Sequence, residues 1–284
     1  MEYYYEFAGI RLRVEGREEE LYSDHGALSP FIAGPTGEGH CLSFELSDHI
    51  VPPEGVCVYE DTRVQVYRTN DAVLRYSGAA GSTHMRVRRS GDRSQITCLR
   101  QVYPNGITPK TVLNGVEAEH FIAQNRGFIL HASLIRMGEK AILFTAPSGT
   151  GKSTQADLWC RYRDAELING DRAALTVENG CVFARGIPYS GSSGVGKKAK
   201  LSVAAIVYLG QAPSNSIEQM KGFSAFRKLW EGCSVNVWDK GDVDMASKTV
   251  LDVINTVPVY YLKCRPDLEA VRLLEKVLLE REVL

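Results

Sequence analysis

Hydrophobic and polar positions alternate over short stretches of the first hundred residues, as they do in half-buried β-strands. Phe7–Val14 shows this alternation, and two later pairs of short strands each flank a turn signal. The first turn is Thr69-Asn70-Asp71, and the second is Ser90-Gly91-Asp92-Arg93. Residues 24–56 hold several Gly and Pro and are interpreted as loops between short strands. The pattern predicts a mostly β N-terminal domain over residues 1–107.

The pattern changes near residue 108. Thr108 suits a helix N-cap and Pro109 suits the first helical position, so a helix is predicted there. Apolar residues then recur at roughly helical spacing until Asn125-Arg126-Gly127 ends the stretch. We take this helix as the start of a second domain over residues 108–284.

Within the second domain, apolar strands alternate with stretches of helical periodicity. This alternation predicts an α/β fold with a central sheet covered on its faces by helices. The strands are predicted at residues 128–135, 141–145, 166–169, 173–177, 181–184, 203–209 and 257–262, and the helices at 152–163, 217–231, 243–256 and 267–284.

Composition narrows the function classes. The net charge of −1 gives no sign of a nucleic-acid or membrane-surface partner. The seven cysteines are scattered singly, which favours free thiols in a reducing compartment over disulfides or a zinc site. The start, Met1–Glu6, lacks a signal-peptide pattern, and no apolar run is long enough to span a membrane. We expect a soluble cytoplasmic protein.

A glycine-rich stretch follows the predicted strand 141–145. Residues 146–153 read Ala-Pro-Ser-Gly-Thr-Gly-Lys-Ser, which fits the phosphate-binding pattern GxxxxGK[ST] except that alanine replaces its first glycine. Such a loop directs backbone N–H groups at phosphate oxygens, and the helix that follows adds its positive end. Lys152 is expected to reach the β- and γ-phosphates of ATP, and the Ser153 hydroxyl to coordinate Mg²⁺. The predicted nucleotide-binding residues are Ser148, Gly149, Thr150, Gly151, Lys152, Ser153 and Thr154.

Two further residues are candidates for the same site. Asp171 follows the predicted strand 166–169 and can supply a carboxylate to Mg²⁺, although Asn169-Gly170-Asp171 is also typical of a turn. His131 would lie near the γ-phosphate if its strand pairs with the strand before the loop. Spacing alone favours a buried core histidine.

Three stretches in this order resemble the HPr serine kinase group, which is related in fold to phosphoenolpyruvate carboxykinase. They are Leu130-His131-Ala132-Ser133, the glycine-rich loop through Thr154, and Asn169-Gly170-Asp171-Arg172. The chain most resembles the HPr-kinase-like proteins associated with modified-peptide biosynthesis, including lasso-peptide kinases. Gly186–Gly191, Ala204–Leu209 and Val257–Tyr260 also resemble that subgroup. The resemblance covers about residues 108–284 and does not extend to the N-terminal half.

The resemblance implies a phosphate-loop domain that transfers a phosphoryl group from ATP to a serine or similar hydroxyl of a peptide or protein. It places His131 in the active site and Asp171 at the metal or catalytic position. HPr kinases carry two adjacent aspartates where this chain has Gly170-Asp171. Either Asp171 both serves the metal and activates the attacking hydroxyl, or His131 acts as the base, or the chemistry differs. A small-molecule kinase and a nucleotide-sensing regulator without transferase activity stay open, as does a homo-oligomer.

A second set of basic residues follows the predicted strand 181–184. Arg185 is a candidate for neutralising charge on the transferred phosphoryl group, and a surface arginine is an equal alternative. Residues 187–200 are rich in Gly, Ser and Lys, and Ser193–Lys198 mimics the phosphate loop without the strand that should precede it. We predict that residues 187–200 form a flap over the triphosphate and acceptor, or else a plain surface connection.

Overall fold

The computed structural model describes residues 1–35, 37, 39–79 and 82–281. The chain divides into two compact units, Met1–Ala118 and Glu119–Leu284. The division therefore falls after Ala118, whereas the sequence pattern placed it after residue 107. Both units contain a large sheet, and the second also carries helices on the sheet faces, so the protein is a mixed α/β protein.

In its described part, the first unit is built on a sheet of eight strands, β1 to β8, with the spatial order β1-β2-β3-β8-β7-β6-β5-β4. The pairs β2–β3 and β3–β8 are parallel, and the other neighbours are antiparallel. In the first hairpin, between β1 and β2, Ala8 and Gly9 form the turn and both take positive φ. The flanking strands bury alternate residues, and the turn and this alternation together fix the pairing register. The strands are β1 Glu2–Phe7, β2 Ile10–Glu15, β3 His40–Ser47, β4 Val56–Glu60, β5 Val64–Arg68, β6 Val73–Ala79, β7 Ser82–Ser90 and β8 Arg93–Leu99. A 3-10 helix spans Gly26–Phe31.

The helix predicted from Thr108 is two helices. Helix α1, Pro109–Gly115, begins with a capping box between Thr108 and Thr111. It ends before Glu117, which takes a φ of 49° and buries its carboxylate against Arg89, 2.9 Å away. A left-handed backbone at a buried, ion-paired residue stops a helix, and helix α2 then spans Ala118–Gln124. The single long helix predicted from the sequence is therefore wrong.

The second unit has a mixed sheet with the order β10-β9-β12-β13-β14-β17-β15, and β11 and β16 pair with β9 outside that order. Strand β14 pairs with β13 through its first residues and runs parallel to β10 and β17 beyond them. The strands are β9 Gly127–Met137, β10 Lys140–Thr145, β11 Glu166–Asn169, β12 Arg172–Glu178, β13 Cys181–Gly186, β14 Lys200–Gln211, β15 Ser216–Met220, β16 Cys233–Ser234 and β17 Val259–Cys264. The helices are α3 Lys152–Arg163, α4 Gly222–Glu231, α5 Lys240–Thr256 and α6 Leu268–Glu280.

Helices cover both faces of this sheet. Residues of α4 and α5 form one apolar cluster with the sheet, and residues of α3 and α6 form another. Trp159 of α3 is fully buried and its ring lies 6.4 Å from that of Phe144 on β10. Strand β10 is therefore held between two cores, which fixes the point where the glycine-rich loop leaves the sheet.

The predicted helix at 217–231 is partly wrong. Its first residues form the edge strand β15, which pairs antiparallel with β17, and α4 starts only after Lys221. Ile217 and Met220 lie three residues apart, which is a helical spacing, and antiparallel pairing with β17 nevertheless makes this stretch a strand. The last residues of the predicted terminal helix, 282–284, lie outside the described part of the chain.

Candidate functional site

The glycine-rich loop connects the end of β10 to the first residue of α3. Gly149 and Gly151 have φ values of 79° and 113°, and a Cβ at either would meet no atom within 4 Å. Backbone conformation rather than space therefore calls for glycine at both positions. Ala146 takes no such positive φ, so alanine fits where the usual pattern has its first glycine.

Lys152 opens helix α3 and is only 7% exposed. Its Nζ donates to the carbonyls of Ala146 and Pro147, at 3.1 and 3.4 Å. Burial lowers the pKa of Lys152, and the charge of Asp171 opposes that shift. No salt bridge to this ammonium is found within the described part of the chain. A buried ammonium held only by carbonyls is suited to an anionic ligand.

The turn between β11 and β12 presents Asp171. The buried side chain of Asn169 accepts hydrogen bonds from the backbone N–H groups of Asp171 and Arg172, both at 2.9 Å. Ser133 Oγ donates to the Gly170 carbonyl at 3.0 Å, and the Ala132 N–H donates to the Asp171 carbonyl at 2.9 Å. These bonds fix this turn, residues 169–172, against β9, and we call it the acidic turn.

His131 and Asp171 lie side by side. Nε2 of His131 is 3.3 Å from Oδ1 of Asp171, and Thr145 Oγ1 donates to the His131 carbonyl at 2.9 Å. Burial, followed by the charge of Lys152, lowers the pKa of His131, while Asp171 acts in the opposite direction. The lowered pKa favours a neutral imidazole at neutral pH.

These elements enclose a cavity of about 590 Å³, within the size range of small-molecule sites. It brings together most of the residues that the sequence selected. Thr150 is not part of its lining; its N–H donates to the Pro147 carbonyl and shapes the loop. The described lining is His131, Ser148, Gly149, Gly151, Lys152, Ser153, Thr154, Asp157, Leu167, Gly170, Asp171, Ser193 and Val195.

Arg185 lies outside this cavity. It pairs with Glu178, and its Nε donates to Thr176 Oγ1 at 3.1 Å. Lys200 also donates to Glu178, at 2.5 Å, and together Lys200 and Arg185 lower the pKa of that carboxyl to about 2. Arg185, the candidate for neutralising the transferred phosphoryl group, is therefore part of a local ion-pair cluster with Glu178 and Lys200.

The segment 187–200 borders the cavity through Ser193 and Val195. Asn169 Nδ2 donates to the carbonyls of Ile187 and Tyr189, at 2.9 and 3.0 Å. The Lys197 N–H donates to the Ile168 carbonyl, and its ammonium pairs with Glu166 at 2.7 Å. The segment is thus fastened to the strand that carries the acidic turn, and its movement as a flap stays a prediction.

The sequence assigned no role to Asp157, and it marked Asn169 only as part of a turn. Asp157 lies one helical turn after Ser153 on α3, and that i, i+4 spacing is the signal that indicates a shared face. The bonds of Asn169 to the N–H groups of Asp171 and Arg172 are local turn chemistry, whereas its contacts with residues 187 and 189 cannot be read from a local pattern.

No protein-family model matches the chain, and no curated protein matches it. Among solved structures, the HPr(Ser) kinase/phosphatase from Coxiella burnetii is a remote match. The match covers 54% of this chain and 98% of that chain, with 14% identity and a TM-score of 0.34. None of the helices described here has the length and apolar character needed to cross a membrane.

Proposed function

We propose that the chain is a cytoplasmic phosphotransferase that uses ATP and Mg²⁺ and transfers the γ-phosphoryl group to a serine or similar hydroxyl of a peptide or protein. One observation carries the proposal. A single cavity joins the buried, carbonyl-held ammonium of Lys152 with the Ser153 hydroxyl and the Asp171 carboxylate. A cation for phosphate and two oxygen ligands for a hard divalent ion are the parts that phosphoryl transfer requires.

The triphosphate would lie along residues 146–151, where backbone N–H groups and the start of α3 favour negative charge. Lys152 would leave its two carbonyl partners and bind the β/γ oxygens. Ser153 and Asp171 present a hydroxyl and a carboxylate, the oxygen ligands that Mg²⁺ prefers. When bound, Mg²⁺ would neutralise charge on the phosphates.

The acceptor hydroxyl would approach beside the acidic turn. A neutral His131 can donate Nε2–H to Asp171 Oδ1, 3.3 Å away, and so hold the carboxylate toward the acceptor. Asp171 would then both face the metal and receive the hydroxyl proton. A loose transition state tolerates a weak base, because positioning and charge neutralisation supply most of the rate.

The first unit supports a peptide or protein acceptor. Its sheet spans most of Met1–Ala118 and forms a separate compact body. A small-molecule acceptor needs no docking unit of that size, whereas a macromolecular acceptor can use one. A kinase for an amino acid or sugar is therefore the less favoured transferase.

A second candidate function is a nucleotide sensor that does not transfer phosphate. A Cβ added at Gly170 would lie 2.6 Å from both Cβ and Oγ of Ser193, so Ser193 leaves no room for a second carboxylate there. Asp171 is consequently the one carboxylate that this turn contributes to the described cavity lining, and the lack of a second one there favours the sensor.

The test combines binding and transfer. Calorimetry with a non-hydrolysable ATP analogue and Mg²⁺ should show binding by the wild-type chain, which Lys152→Ala weakens strongly. Phosphoryl transfer from labelled ATP to serine peptides should be lost in Lys152→Ala and kept in Lys276→Ala, an exposed lysine on α6. Binding without transfer to any peptide, amino acid or sugar would support the sensor. Equal binding and turnover by Lys152→Ala would refute the site.

A further inference from the structure

Ser193 brings a hydroxyl of the chain itself into the candidate site. It lines the cavity together with Lys152, Ser153 and Asp171, although it lies far from them in sequence. It belongs to a short 3-10 turn, Gly191–Ser193, that follows the anchored residues Ile187 and Tyr189. A hydroxyl of the same chemical class as the proposed acceptor is therefore present beside the acidic turn.

Close packing fixes this turn in place. A Cβ at Gly170 would lie 2.6 Å from Cβ and Oγ of Ser193. A Cβ at Gly191 would lie 2.6 Å from Cγ and 2.9 Å from Oδ2 of Asp171. Neither approach tolerates a side chain, so the two glycines let the 191–193 turn pack closely against the turn that carries Asp171.

The Ser193 hydroxyl is held by local partners. Oγ donates to the Ser190 carbonyl at 2.7 Å and accepts from the Val195 N–H at 3.3 Å. Both partners lie within three residues, and the side chain is exposed. Rotation about one side-chain bond therefore releases the hydroxyl, at the loss of these two exposed hydrogen bonds.

From this placement we infer that Ser193 is an intramolecular phosphorylation site of the proposed kinase; the inference rests on the proposed function. Ser193 Oγ attacks the γ-phosphorus of ATP, and a new Oγ–P bond forms. The bond from that phosphorus to the β–γ bridging oxygen breaks, and ADP leaves with its electron pair. The hydroxyl proton passes to the Asp171 carboxylate and then to solvent.

Other hydroxyls in the cavity are poorer acceptors. Ser148, Ser153 and Thr154 belong to the glycine-rich loop and the first turn of α3, where they would surround the triphosphate. Ser193 comes from a separate segment packed on the acidic turn, where the acceptor would be placed. An in-line displacement needs the attacking oxygen away from the leaving group, which favours the separate segment.

The experiment follows the full-length chain incubated with ATP and Mg²⁺ alone. Intact mass and peptide mapping should show one phosphate at Ser193, added at a rate per molecule that does not depend on protein concentration. Ser193→Ala should abolish this modification, and Lys152→Ala should prevent it. Ser190→Ala, a serine of the same segment that is not part of the described cavity lining, should be modified as the wild type is.

ADP release and calorimetric binding of an ATP analogue are measured in parallel. Binding or ADP release without phosphate on Ser193 overturns this inference and leaves the proposed function standing. Phosphate on Ser148 or Thr154 instead of Ser193, or a rate that rises with protein concentration, also overturns it. Absence of both binding and ADP release refutes the proposed function and the inference together. Modification of Lys152→Ala at the wild-type rate would reveal a contaminating kinase and likewise overturn it.

Discussion

Removing the side chain of Asn169 tests how the candidate site is positioned. This fully buried amide makes four hydrogen bonds of 2.9 to 3.0 Å. Its oxygen shapes the turn that presents Asp171, and its nitrogen fastens the segment that carries Ser193. Asn169→Ala removes both connections at once and leaves buried backbone groups without partners.

The magnitude follows from those four bonds. Each contributes about 1 kcal/mol net, and some of the freed backbone groups can bond to water, so we expect a loss of about 2–4 kcal/mol in the free energy of unfolding. For a unit of this size, a loss of that order lowers the melting temperature by roughly 5–15 °C. If Asp171 shifts by about 1 Å, turnover per folded molecule should fall by about 100-fold.

Calorimetric melting beside a transfer assay measures both effects. Asn169→Asp keeps the acceptor oxygen and should recover part of the turnover, although its buried charge lowers stability. Asn125→Ala, which removes one exposed hydrogen bond to the Phe121 carbonyl, is the matched control and should change neither quantity much. A lower melting temperature with normal turnover per folded molecule would make Asn169 purely structural. Unchanged melting and turnover would refute the described network.

Three further predictions concern charges in the second unit. Asp171→Asn should keep nucleotide binding but lose most turnover, because charge at the metal is needed mainly in the transition state; an unchanged rate beside a binding titration would make Asp171 a turn residue. His131→Ala should lower turnover more than stability, since its side chain is 36% exposed; a lower melting temperature with a normal rate per folded molecule would indicate a core residue. The pKa of Glu178 is lowered to about 2, so its ion pairs should stabilise the fold above the unfolded pKa of about 4.3 and lose that effect as the pH falls toward 2. Because the Glu178 side chain is 36% exposed, screening reduces the contribution to about 1 kcal/mol. Glu178→Gln should therefore melt lower than the wild type at neutral pH and lose most of that deficit at pH 2, where the folded carboxyl is about half protonated, and an equal deficit at both values would refute the pairing.

Local pattern was enough to predict the glycine-rich loop and its flanking elements. Strand 141–145 and helix 152–163 were expected, and the structure confirms both as β10 and α3. A continuous apolar run, two glycines at positive φ and a helix start lie within about twenty residues, so no distant contact is needed to recognise them.

The errors arise where tertiary contacts decide. Residues 217–220 become a strand because β17 offers an edge, and β16 exists because a two-residue stretch meets β9. The break before Glu117 depends on a buried ion pair with Arg89. Arg185 is a candidate because it follows a strand, but its guanidinium forms an ion pair with Glu178. Glu178 lies seven residues earlier, on the neighbouring strand. None of these partners can be identified from the periodicity of one segment.

Gly170 illustrates how the structure changes the meaning of a residue that the sequence had already singled out. The resemblance to HPr kinases places this glycine where those proteins carry the first of two adjacent aspartates. Its φ lies outside the left-handed region, so the backbone does not require glycine there, whereas the 2.6 Å approach of Ser193 does. An aspartate at 170 and the observed packing of residues 191–193 exclude each other. A carboxylate could therefore enter this position only if the 191–193 turn moved away, and with it the Ser193 hydroxyl. In this chain Ser193 occupies that space, so the cavity lining around the 169–172 turn contains the Asp171 carboxylate and the Ser193 hydroxyl.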